Sequence, residues 1–363
     1  MNPTTHHSRS RKKGVPAALI VVALSVVLAI CLPSKATAAK ALAPSAEGPA
    51  LAGVPRHIEP EAFDRRSKKS VKKRVQQQPV LYRGGRVQDY TKTHVIFWLP
   101  AGYTYDETGG GSSYYEGLIT RYLTDVNAST FYNTVTQYGD STAWIKPTST
   151  LADVILDTTP YPVRSGQVFT IDSDIQAEVV KWIRARGWVY GLHEQFLVYT
   201  AAGVQTWDPD LGWSSAKNGY CAYHSYFSGA SVGLGNYPIM YANMPGQEGQ
   251  YACYAQHVVG KGKTARAVAL SPNNDPVADS EVSITSHEQF ETVTDPQLNA
   301  WADAQGSEIA DKCAYQYGAL AADGGNVTLN GHRYVLQGEW SNAPVGRTGG
   351  GCSWYTALPF HGQ

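Results

Sequence analysis

The residues best suited to chemistry lie in one stretch: His287-Glu288-Gln289-Phe290-Glu291, then Thr294-Asp295-Pro296, then Trp301, Asp303, Gly306, Glu308 and Asp311. On a helix, residues four apart stack one turn above each other, so His287 and Glu291 would project side by side. Imidazole and carboxylate both bind divalent cations, and Glu288 between them would be a carboxylate able to take a proton from water. A cation needs a third donor. Glu308 is preferred, 17 residues beyond Glu291; Asp311, 20 beyond it, and Asp295, which continues the four-residue ladder, are the others. Asp295, Asp303 and Glu308 also form a separate oxygen-only set of the kind that suits calcium.

The arrangement resembles the H-E-x-x-H helix of zinc peptidases, with Glu291 where the second histidine would stand. The resemblance implies zinc as cofactor, His287, Glu291 and Glu308 as its ligands, and Glu288 as general base. A carboxylate in place of an imidazole adds negative charge, which makes bound water less acidic. The tetrapeptide by itself says little, because His193-Glu194-Gln195-Phe196 repeats it at the entry to an expected strand. The second copy stands out by its acidic surroundings and by the helix expected over residues 279–295. The competing role for these groups is a polar network that fixes the helix end, with Asp295-Pro296 stopping the helix. His224, set among tyrosines near Cys221, is either a further metal ligand or transition-state donor, or a hydrogen-bonded surface or core residue.

These side chains need a scaffold. Runs of branched and aromatic residues predict strands over 93–99, 151–157, 195–200 and 239–243. Helical spacing runs from 114 to 127, and Ile175, Val179, Trp182 and Ile183 predict a helix capped by Asp172 or Ser173 and ended by Gly187. On the helix that carries His287, Ile284, His287, Glu288 and Glu291 share one stripe, while Val282, Gln289 and Val293 form another that would face a sheet. The expected fold is α/β or α+β: a single mixed-sheet domain with packed helices, a zincin-like form included. The triglycine at 109–111 is not followed by the Lys-Ser or Lys-Thr of a phosphate loop.

The chain has 363 residues, 43% hydrophobic and 11% aromatic, which excludes disorder and fibre. Its zero net charge hides an asymmetry. Residues 1–38 read as an export signal: Arg9, Arg11, Lys12 and Lys13, then an apolar stretch over 17–32, then Ala36-Thr37-Ala38. No stable membrane span is expected once it is removed. Residues 39–80 read as a flexible basic linker or propeptide, with a run of basic residues between Arg65 and Arg74. From Leu81 onward, 26 acidic residues face 16 basic ones, which argues against nucleic acid and leaves 81–363 as the globular domain. Peptide or cell-wall polymer is the expected substrate. Four cysteines follow the signal, and of three pairings Cys221 with Cys253 and Cys313 with Cys352 are favoured, because sequence neighbours each close a loop within one lobe.

Cys221-Ala222-Tyr223-His224, Tyr237-Pro238-Ile239-Met240-Tyr241, Ser271-Pro272-Asn273-Asn274-Asp275 and Thr292-Val293-Thr294-Asp295-Pro296 occur in that order, followed by Asn330-Gly331 and Tyr334. Over residues 93–352 this order resembles the phosphate-induced, EXORDIUM-like family of secreted proteins. The resemblance implies an extracellular, cell-wall-associated protein without established catalytic activity. Plant members carry small or apolar residues where this chain has His287 and Glu288, so the resemblance extends to fold and location and leaves the chemistry to this chain's own residues.

Overall fold

Alternation of side chains along the strands decides the architecture. The computed structural model describes residues 56–58, 78–106, 109–214, 219–261, 264–343 and 350–361, all within one unit, Gly48–Gln363. The expected export signal and most of the basic segment lie outside the described residues. The central sheet consists of β1 (Arg56–Ile58), β2 (Thr91–Trp98), β3 (Ser149–Asp157), β4 (Glu194–Thr200), β5 (Ala222–Ser228) and β6 (Pro238–Pro245), in the order β1-β5-β6-β4-β2-β3. Strands β6, β4, β2 and β3 are parallel; β5 is antiparallel to β6, and β1 to β5.

Three helices cover the two faces: α1 (Ser112–Asp125), α2 (Asp172–Arg186) and α3 (Pro276–Thr294). Successive residues of a strand point to opposite faces, and the cores divide accordingly. Val95, Phe97, Leu197, Tyr199, Ala242 and Met244 pack with α1 and α3, whereas Ile96, Trp98, Phe196, Val198, Ile239 and Tyr241 pack with Ile175, Val179 and Ile183 of α2. The result is the expected single mixed α/β domain. The four strands expected from the sequence fall on β2, β3, β4 and β6, and the two helical patterns on α1 and α2. β5 was not anticipated as a strand: Ala-Tyr-His-Ser-Tyr-Phe-Ser mixes polar and aromatic residues on both of its faces.

At the start of α2 the cap differs from expectation. Asp174, not Asp172 or Ser173, turns back and accepts from the Ile171 N–H at 2.7 Å. Asp172 instead accepts from the hydroxyls of Tyr223 and Tyr241. Gly187 ends the helix in the left-handed region, φ 64°, as its position implies.

α3 starts at Pro276, earlier than expected, with Asp275 as N-cap accepting from Ala278 N–H at 2.9 Å. Every residue from Val277 to Thr294 is buried. The expected division into a sheet-facing and a polar stripe therefore fails. Gln289, assigned to the apolar stripe, accepts from Tyr122 Oη at 3.0 Å and donates to Ser149 Oγ at 3.0 Å. Cys221–Cys253 and Cys313–Cys352 are both disulfide-bonded, as favoured. No described helix is long and apolar enough to cross a membrane.

Asp275 also accepts from the Gly110 N–H at 3.1 Å, so one carboxylate joins the helix to the triglycine. Asp275→Ala leaves both donors unserved and should cost about 1–3 kcal/mol, read as a lower urea midpoint at unchanged slope.

Candidate metal centre

Three separate segments deliver the candidate ligands. α3 supplies His287 and Glu291, β5 supplies His224, and the chain after α3 supplies Glu308 and Asp311. Glu291 Oε2 is the meeting point, 3.3 Å from His287 Nε2 and 3.6 Å from His224 Nε2. His224 Nε2 lies 3.2 Å from Glu308 Oε2, and His287 Nε2 lies 3.6 Å from Asp311 Oδ1. Donors about 2.0–2.1 Å from a tetrahedral ion stand about 3.3–3.4 Å apart, and the separations within each group of three are of that order. Buried His, Glu and Asp groups are thus arranged so that they could hold a metal ion.

The sequence-chosen ligands are divided between two overlapping groups. Glu291 belongs to both, His287 joins it with Asp311, and Glu308 joins it with His224. His224, left open between ligand and core residue, sits among the donors. The oxygen-only calcium set is not brought together. Asp295 caps Asn299 and Ala300 N–H groups at 2.5 Å each, and Asp303 accepts from Lys312 Nζ at 3.0 Å and from Gln305 and Ser307 N–H groups. In the other tetrapeptide copy, Glu194 opens β4 and its carboxylate lies 2.7 Å from His94 Nε2 of β2.

Supporting groups come from farther along the chain. Glu291 Oε1 accepts from Asp311 N–H at 2.9 Å, and Asp311 Oδ2 from Glu308 N–H at 3.1 Å, which locks the loop to the helix. The Gln337 amide lies 2.7 Å from His287 Nδ1. The amide end facing the ring is Nε2, which also donates to the Ala310 carbonyl at 3.3 Å, so one side chain ties His287 to the loop after α3. Glu288 and Glu339 are fully buried, with no hydrogen-bond partner for their carboxylates among the described residues. Sequence reasoning missed Gln337 and Glu339, and no local pattern marks them.

Electrostatics push the cluster toward holding protons or a cation. Burial raises Glu288 well above its ordinary value; His287 opposes this, while Glu291 and Asp311 add to it. Glu291 is raised by burial and by Asp311, and Glu339 well raised by burial. Burial disfavours charge on His287, yet Glu291 and Asp311 outweigh it and hold its proton well above the usual range. No protein-family model matches the chain, and no curated protein matches it either.

Two turns earlier on α3, burial pushes Glu281 up to about 8, partly offset by the nearby Tyr115 hydroxyl and Gln247 amide. Between its ordinary 4.5 and 8, the unfolded chain gives up this proton and the folded chain keeps it. Stability attributable to Glu281 therefore falls as pH rises through that window, by up to about 1.4 kcal/mol per pH unit. In Glu281→Gln, chelator-treated protein should lose less Tm between pH 5 and pH 8 than the wild type does.

Proposed function

We propose that the protein is an exported zinc-dependent hydrolase of peptidase type. The observation that carries the reading is a pair of overlapping buried donor groups, His287–Glu291–Asp311 and His224–Glu291–Glu308, joined at Glu291 beside a buried Glu288 whose carboxylate has no hydrogen-bond partner among the described residues. Mixed nitrogen and oxygen donors at tetrahedral spacing suit zinc better than calcium or magnesium. An ion on these donors would polarise a peptide carbonyl and acidify a water. Glu288 is the base: it takes the proton of the attacking water as the oxygen–carbon bond forms, then gives it to the amine as the carbon–nitrogen bond breaks. A divalent cation on these donors would favour the ionised form of Glu288, opposing the upward shift that burial imposes. Gln337 orients His287, and Asp311 fixes Glu291. Two disulfides fit an oxidising compartment, in line with the expected export signal, and an EXORDIUM-like scaffold would place the chain outside the cell.

A second reading has its own observation. Phe169, Trp207 and Trp213 line a cleft of about 240 Å³, with ring centroids 5.2 Å apart for Phe169–Trp213 and for Trp207–Trp213. Aromatic faces of this kind stack on sugar rings, which supports attachment to a cell-wall polymer. Binding to insoluble wall polysaccharide should survive EDTA and be lost in Trp213→Ala if this reading holds.

For the hydrolase, metal analysis should give about one zinc per chain, abolished in Glu291→Ala. Glu288→Gln should keep the zinc and lose about 10²–10⁴-fold in peptide hydrolysis. Zinc without hydrolysis in the wild type would reduce the site to a structural one.

A further inference from the structure

β5 pairs with β6 along one edge, and along the other, over Ala222–His224, it pairs with β1. The pairing is antiparallel: Arg56 lies opposite His224, His57 opposite Tyr223 and Ile58 opposite Ala222. The backbone of β1 thus passes the very residue whose Nε2 stands 3.2 Å from Glu308 and 3.6 Å from Glu291. It also runs near α3, which carries His287 and Glu291. Asp311, whose side chain is 24% exposed, is the most exposed of the donors.

Three residues cover under half of the seven-residue β5, and β1 joins the sheet through β5 alone. A strand so short is marginal by itself; the covalent chain supplies an effective concentration of about millimolar. Main-chain pairing at a sheet edge is largely independent of the added segment's side chains, which is how many proteins take extended peptides. A peptide hydrolase needs its substrate extended, so that one carbonyl is held still beside the cation. The edge that β1 occupies offers that geometry.

We infer that the outer edge of β5 is the rail on which this centre takes an extended polypeptide, and that residues 56–58 occupy it as a tethered competitor. The inference rests on the hydrolase reading for what the rail serves, and stands apart from it on whether the rail binds peptide. The sequence supplies a means of release. A cut within the basic run from Arg65 to Arg74 would turn the tethered strand into a free one and forfeit the effective concentration.

The test uses the full exported chain and two variants, Arg56→Pro with Ile58→Pro, and His57→Pro. Proline has no N–H, so between them the variants remove each alternate set of β1 donors. A fluorescent peptide of residues 53–61 should bind at least one variant tenfold or more tighter than wild type, by anisotropy. In that variant the amides within Ala222–His224 that face β1 should exchange with deuterium faster, and those that face β6 should not. Equal peptide affinity in all three proteins, or unchanged exchange, overturns the inference. Tighter peptide binding with no cleavage by any zinc-loaded form leaves the rail standing and sinks the hydrolase. Cleavage at equal rates in all three sinks the competitor and leaves the hydrolase.

Discussion

A buried surplus of negative charge is the constraint on which the rest of the structure turns. Glu281, Glu288, Glu291, Glu308 and Glu339 are fully buried, and Asp311 is partly covered. Against them the same region sets two imidazoles, His224 and His287, while buried Lys312 is held by Asp303. An isolated buried carboxylate costs more than the whole margin of a domain's stability, so each must be neutral, paired or shared with a cation. Without a cation, burial favours protons on Glu281, Glu288, Glu291 and Glu339, and Glu291 and Asp311 hold one on His287. Loading an ion must then expel protons, so affinity for metal and pH are linked at this site.

Each segment that brings donors has its own anchor. α3 is buried on all sides, and its threonines are served internally: Thr285 Oγ1 lies 2.8 Å from Tyr199 Oη, and Thr292 donates to the Glu288 carbonyl at 2.7 Å. β5 begins one residue after Cys221, whose bond to Cys253 fixes the strand three residues from His224. Cys313, bound to Cys352, fixes the loop two residues from Asp311. Ligands held from three directions cannot relax apart when the charge balance changes, so their spacing is set before any ion arrives.

What the sequence showed follows from the range of the physics involved. β2, β3, β4 and β6 were legible because branched and aromatic runs report a buried strand locally. The His287–Glu291 pair was legible because helix geometry converts a spacing of four into adjacency. The stripes on α3 were not, since amphipathic spacing presumes a solvent face, and this helix has none. Asp303 has the composition of a ligand, but Lys312, nine residues on, takes its carboxylate, and nothing short of the fold reveals that. Gln337 and Glu339 lie some fifty residues from His287 in sequence, and only the packing of the C-terminal segment against α3 brings them near. His224 was readable as a residue of interest and not as a ligand, because its strand lacked a strand's pattern.

The carboxylate at 291 also changes meaning once the fold is known. Judged by the helix alone, replacing an imidazole there leaves one nitrogen donor and too much negative charge for an acidic water. The fold brings a second imidazole to Glu291 from β5, through His224 at 3.6 Å. It also blunts the added charge, because Glu291 Oε1 is engaged by the Asp311 N–H while Oε2 faces the histidines. A hydrogen bond to one carboxylate oxygen draws electron density from the other and makes it a weaker, more imidazole-like donor. The acidity that such a centre imparts to water is therefore governed by how many of Glu291, Glu308 and Asp311 are ionised and free of backbone N–H groups, rather than by which residue fills the last position of the helical motif.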